Sequence, residues 1–279
     1  MVVTMKLSKI LLLLLTASSA SLTLAGGGSY DDSNTSPAAT PAAALANSTS
    51  QKKIKLSDSF KGLYITLKGG VSESMDTGEM HGDAGGGQYD IKDSNLGTGH
   101  VFGLSIGKYI NNNFRLELEF SQRDELKLDA KFTSEPSASN GSREEADIDT
   151  TSVFINGFYD FQPFVISSSS VTPYLGGGIG FSRNQLGTTT QTSQVSSVYI
   201  LTDGAKLSQF AYKFAAGVLV NLTKKLSIDV NYQFVDLGRF KASKNYLAIP
   251  SGVRGVLTKE ANGGEIKTQE LMIGLQYKF

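Results

Sequence analysis

The chain has 279 residues, no cysteine, no tryptophan, 30 glycines and a formal net charge of +0. Balanced charge without a basic run leaves no electrostatic footprint for a nucleic-acid partner. The lack of cysteine removes a disulfide framework, thiolate metal sites, a thiol nucleophile and lipid attachment at a cysteine, and the length permits one large domain or two small ones.

Lys6 and Lys9 precede the apolar run 10–15, and the small residues Ala17, Ala20 and Ala25 follow. That order is a secretory signal peptide over 1–25; the run is well short of the ~20 apolar residues a spanning helix needs. Residues 26–57 are rich in Gly, Ser, Thr, Ala and Pro, including "SPAATPAAALANSTS". Such a segment buries too little apolar surface to order itself, so it is expected to be a flexible leader.

From residue 58 to the end the chain is expected to form one domain, and from Lys61 onward its hydrophobic period is two. Leu63, Ile65 and Leu67 alternate with Tyr64, Thr66 and Lys68, and Phe102, Leu104 and Ile106 with Gly103, Ser105 and Gly107. Phe114, Leu116, Leu118 and Phe120 alternate with Arg115, Glu117, Glu119 and Ser121. A fourth run carries Val153, Ile155, Tyr159 and Phe161, and a fifth carries Val171, Leu175, Ile179 and Phe181. The sixth is Phe210, Tyr212, Phe214, Ala216, Val218 and Val220; the seventh sets Leu226, Ile228, Val230, Tyr232 and Phe234 against Ser227, Asp229, Asn231 and Gln233. The eighth, "TQELMIGLQYKF", puts Leu271, Ile273, Leu275, Tyr277 and Phe279 on one face up to the last residue. The connections "INNN", "QPFVISSSS" and "NLTKK" are short, whereas 72–98, 124–150, 184–209 and 236–267 read as long polar loops.

Eight alternating strands also suit a soluble barrel or sandwich. Two features favour a membrane. The polar face carries Arg115, Glu117, Glu119, Lys213, Asp229, Glu270 and Lys278, too many charges for a dry core, so the apolar face must look outward. The outward aromatics also sit at strand ends: Phe114, Tyr159, Phe161, Tyr277 and Phe279 at one, Phe120, Phe181, Phe210 and Phe234 at the other. Two aromatic girdles bounding an apolar band mark the two membrane interfaces. The expected fold is therefore all-β: an eight-stranded antiparallel transmembrane β-barrel with long extracellular loops and short periplasmic turns. Backbone groups in lipid must all be paired, so the last strand closes the sheet. Leu275, Tyr277 and Phe279 resemble the C-terminal signal read by the outer-membrane insertion machinery.

The stretches "VTPYLGGGIGFS", "FAYKFAAGVLVNLTKKLSIDVNYQFVDLGRF" and "GLQYKF" resemble the opacity-like outer-membrane barrel family, which includes surface antigens and adhesins of intracellular bacteria. The likeness runs from about residue 62 to the end and is dense from Val171 on. It implies an eight-stranded barrel in the bacterial outer membrane with variable exposed loops. Some members bind host receptors or matrix proteins, and no ligand carries over to the loops of this chain.

Gly176, Gly177, Gly178 and Gly180 lack the following helix that a phosphate cradle requires, and inward glycines make room for bulky neighbours or let the strand bend. "DAGGGQYD" is a single copy and cannot build a calcium coil, and Asp147 with Asp149 reads as a solvated acidic rim. The only histidines, His81 and His100, have no fixed acid–base partner in the sequence. No catalytic set, metal site or cofactor is expected. The interior charges are expected to pair among themselves, and at eight strands side chains fill the lumen, which disfavours the alternative of a small porin. Exposed loops on a rigid scaffold are where recognition resides. The favoured reading is a surface antigen or adhesin-like barrel that contacts a host-surface or matrix protein; the alternative is a structural envelope barrel without a specific ligand. The candidate contact residues are Tyr199, Ile200 and Leu201 in the third loop and Tyr246, Leu247 and Ile249 in the fourth. The simpler reading of these two clusters is that they extend hairpins above the membrane and pack on each other.

Overall fold

The computed structural model describes residues 61–279 except 78–79, 85–86, 92, 132–142, 167–168, 193–198 and 257–261. The expected signal peptide and the whole of the leader lie outside the described residues. Eight strands form the barrel wall: β1 (Leu63–Ser74), β2 (Thr98–Tyr109), β3 (Phe114–Lys131), β4 (Arg143–Asp160), β5 (Ser169–Leu186), β6 (Ala205–Asn221), β7 (Leu226–Lys241) and β8 (Asn262–Lys278). Each pairs antiparallel with the next. β8 returns to β1 with Tyr64 opposite Lys278 and Ser74 opposite Thr268, closing the sheet. The Phe279 amide donates to the Leu63 carbonyl at 3.0 Å, so the last residue is tied into the seam.

Within the wall, period two has the physical meaning expected of a barrel in lipid. Leu67, Leu116, Leu118, Ile155, Ile179, Phe214 and Ile273 are exposed on the outside, while Thr66, Glu117, Glu119, Asn156, Lys213 and Gln233 are buried within. Phe114 stacks edge-on against Tyr159 at 5.0 Å, Tyr159 against Phe161 at 5.1 Å and Tyr277 against Phe279 at 5.3 Å around the turn end. Phe181 meets Phe210 at 6.3 Å toward the loop end.

The loop boundaries differ from the sequence reading. β3 and β4 each run 18 residues, so much of 124–150 is strand rather than loop. The physical reason is a bulge. Arg123 pairs with Thr150 but Leu126 with Ile148, one extra residue on β3, with Glu125 at a φ of 68°. The extra residue reverses which positions face inward: Arg115 to Arg123 face inward on odd positions, then Leu126 and Leu128 are buried. β7 repeats the device at Gly238, φ 73°, after which Phe240 and Ala242 are the buried positions. Above each bulge the inside becomes apolar and the outside polar, as in a water-soluble protein. Leu126, Leu128, Ile148, Leu186, Leu237, Phe240 and Ile266 belong to one buried apolar cluster that fills the loop-side half of the barrel.

The third and fourth loops are also built largely of strand. Thr189–Thr192 and Tyr199–Thr202 form a hairpin, as do Asn245–Ile249 and Val253–Val256. They join into one sheet through Tyr199 opposite Ile249 and Leu201 opposite Leu247, and through Thr190 opposite Glu145 of β4. In the first loop Met80–Ala84 pairs with Gly87–Ile91, so the described residues of "DAGGGQYD" lie on two paired strands. Phe164–Ile166 pairs with the start of β5, so the "QPFVISSSS" connection is a short hairpin.

Candidate functional site

Two regions collect polar or chemically distinctive side chains: the lumen and the sheet built from the third and fourth loops.

The lumen is layered. At the turn end Arg115 donates from Nε to Asp160 Oδ1 at 2.9 Å. Its guanidinium lies 4.3 Å from the Phe158 ring centre and 4.4 Å from that of Tyr174, and Tyr64 is beside it. Cation–π contact on two faces holds the guanidinium flat across the barrel. The glycines of β5 make this possible, since a Cβ on Gly176 would stand 2.2 Å from Cδ1 of Phe158. The next layer is ionic. Lys68 donates to Glu117 at 3.0 Å and to Glu119 at 3.3 Å, Lys213 reaches both oxygens of Glu119 at 2.7 Å, and Asn156 donates to Glu119 at 3.1 Å. Above it, Arg123 forks onto Glu270, which also accepts from Ser72, Gln233 and Thr268. The apolar cluster then covers the network.

Six of the seven polar-face charges named from the sequence are buried: Arg115, Glu117, Glu119, Lys213, Asp229 and Glu270. Glu119 pairs with Lys213, as one of the expected combinations has it. The other principal partners are Lys68, Arg123 and Asp160, which the sequence reading did not single out for pairing. Arg123 lies just before the bulge, where alternation fades, and that hid it. Asp229 accepts from Tyr174 at 2.6 Å rather than from a cation. Lys278 is half-buried at the mouth, 5.0 Å from the centre of the Tyr109 ring. Leu275, Tyr277 and Phe279, which the sequence suggests as an assembly signal, all face outward at the turn end.

His100 lies 3.4 Å from Glu125 and both are exposed. Among the described residues no group of three or more His, Cys, Asp or Glu side chains is placed to hold a metal ion. Asp147 and Asp149 are exposed on the outer face of β4, with Asp147 opposite Lys127 of β3.

The loop sheet brings together the two apolar clusters that lie far apart in sequence. Cross-strand partners share a face. Leu201, Leu247 and Ile249 are therefore on one side, with Arg254 opposite Leu247 and Val256 opposite Asn245, and the backbone of Tyr199 pairs opposite Ile249. Ile200, Tyr246 and Ala248 are on the other. Tyr246 lies over Gly255, where a Cβ would be 2.4 Å from its hydroxyl, so that ring is packed rather than free. Ile249 is 38% exposed and Val256 69%. Asn245 and Arg254 on the same face are also exposed.

This closed eight-stranded wall, polar within and apolar without, has counterparts among known proteins. Residues 35–279 match the family model for the outer membrane protein beta-barrel domain. The chain belongs to that family. Its place is the bacterial outer membrane, with the girdled apolar band in lipid. Outer membrane protein PagN of Salmonella typhimurium is 26% identical over 205 residues, 67% of this chain and 80% of PagN. Among solved structures, Neisserial surface protein A is 17% identical with a TM-score of 0.44, covering 78% of this chain and 98% of its own. OprG of Pseudomonas aeruginosa is likewise 17% identical at a TM-score of 0.44, covering 78% and 96%.

Proposed function

We infer that this outer-membrane barrel is a surface antigen of the adhesin type, whose loop sheet contacts a host-surface or matrix protein. One observation carries the reading. The face bearing Leu201, Leu247 and Ile249 continues to Val256, and its exposed apolar residues are flanked by exposed Asn245 and Arg254. An apolar centre with a polar margin is the anatomy of a protein contact surface. The hydrogen-bonded connection to β4 anchors that sheet to the barrel wall, which lowers the ordering cost of binding. Ile200 and Tyr246 support it from the opposite side. Leu275, Tyr277 and Phe279 serve as the terminal signal for the insertion machinery.

The test is adhesion of cells displaying the barrel. Tyr199→Ser with Ile249→Ser lowers host-cell binding and leaves barrel melting and loop protease resistance unchanged. Tyr246→Ser loosens the loops instead, because it uncovers Gly255. Undiminished binding by the double variant and by a chain lacking both hairpins would remove this surface from consideration.

A further inference from the structure

Exposed lysines gather on one side of the periplasmic rim. Lys61 precedes β1, Lys108 lies near the end of β2, and Lys224 and Lys225 belong to the turn between β6 and β7; all four are exposed. Barrel closure makes these segments neighbours. Lys108 pairs opposite Leu63, the Phe279 amide donates to the Leu63 carbonyl at 3.0 Å, and the Lys278 amide donates to the Lys225 carbonyl at 2.7 Å. The arc therefore crosses β7, β8, β1 and β2, three strand spacings or about 14 Å. The described residues of the other two turns, 110–113 and 161–166, carry no charged side chain. Among the described residues of this rim, the acidic groups are Asp160, buried against Arg115, and the terminal carboxylate of Phe279. Lys278 adds a further ammonium just inside the mouth, so the seam side of the rim is positive.

These ammonium groups stand at the level of the lipid headgroups. Lys225 Nζ is 5.8 Å from the centre of the Tyr277 ring, part of the turn-end girdle, and Lys108 is the next outward position after exposed Ile106. Lysine stems lie along apolar surface and carry their charge to the interface. The turn between β6 and β7 is held in shape by Thr223, whose hydroxyl accepts from the amides of Lys225 at 3.2 Å and Leu226 at 3.0 Å, which lowers the ordering cost of binding. The phosphate of phosphatidylethanolamine is neutralised by its own amine, whereas that of phosphatidylglycerol keeps its charge. An excess of ammonium groups therefore separates the two lipids. We propose that Lys61, Lys108, Lys224 and Lys225 bind the phosphate of an anionic phospholipid, phosphatidylglycerol, in the periplasmic leaflet, and seat it against the seam where β8 meets β1.

The test refolds the full chain in nonionic micelles at low salt, adds phosphatidylglycerol or phosphatidylethanolamine with the same acyl chains, and reads the retained lipid by native mass spectrometry. Each basic group near a lipid surface strengthens the attraction roughly fivefold, so two lysines on one phosphate bind phosphatidylglycerol roughly twenty-fold more tightly than phosphatidylethanolamine. The preference falls as salt is raised. Lys61→Gln, Lys108→Gln, Lys224→Gln and Lys225→Gln together abolish it. A control that removes four charges on the loop side, Lys127→Gln with Arg183→Gln, Lys206→Gln and Lys244→Gln, keeps it. Equal retention of the two lipids by the wild type overturns the proposal, and this comparison decides even where a variant does not fold. The same loss of preference in the control overturns it as an effect of net charge alone. Retention of a soluble peptidoglycan stem peptide in place of phosphatidylglycerol overturns it in favour of a cell-wall contact.

Discussion

Glu119 is the hub of the ionic layer, and converting it to glutamine isolates what the layer contributes. Lys213 is 1% exposed and, among the described residues, has Glu119 as its only charged partner within hydrogen-bond reach; Gln233 lies at 3.4 Å and the Phe154 ring centre at 5.1 Å. Lys68 keeps Glu117 at 3.0 Å when Glu119 is neutralised. The cost of Glu119→Gln therefore falls on Lys213, left as a buried ammonium without a carboxylate in hydrogen-bond contact. Removing one partner of a buried pair costs about 3–5 kcal/mol. The new amide still offers one acceptor oxygen, so the expectation is near the lower end, about a hundredfold in the unfolding constant. Lys213→Met is milder, because Glu119 retains Lys68 and Asn156. The double variant should be more stable than Glu119→Gln alone, since no buried charge is stranded. Urea unfolding of the refolded barrel followed by far-UV circular dichroism suits a chain without tryptophan. Additive costs in the double variant, or a Glu119→Gln loss below about 1 kcal/mol, would refute the assignment of the cost to a stranded Lys213.

Deleting Phe279, or replacing Tyr277 and Phe279 by serine, blocks membrane insertion, because the seam bond to Leu63 and the girdle pair are lost; wild-type amounts of heat-modifiable barrel in the outer membrane would contradict this. Planar-bilayer recordings should give no stable conductance, since the Arg115 layer and the apolar cluster around Leu237 and Phe240 fill the lumen from both ends; a reproducible single-channel step would show that the filling opens.

Much of this protein was legible in its sequence because membrane strands impose a local rule. Side chains alternate every residue, lipid demands apolar groups outside, and interfaces demand aromatics at the ends. Strand number, the lipid-facing set and the burial of Arg115, Glu117, Glu119, Lys213, Asp229 and Glu270 all follow from reading one segment at a time. Partner choice does not. Arg123 meets Glu270, 147 positions away, only because closure and strand stagger bring β3 and β8 to one level of the lumen. The loop boundaries were hidden for a related reason. A single extra residue beside Glu125, and another at Gly238, shifts the phase of alternation, and the same strand passes from lipid into water, so its apolar face turns inward. A window scanned for continuous period two stops there and reports a loop. The joining of Tyr199 with Ile249, and of Leu201 with Leu247, likewise depends on two hairpins that adjacency in the barrel, not adjacency in sequence, brings edge to edge.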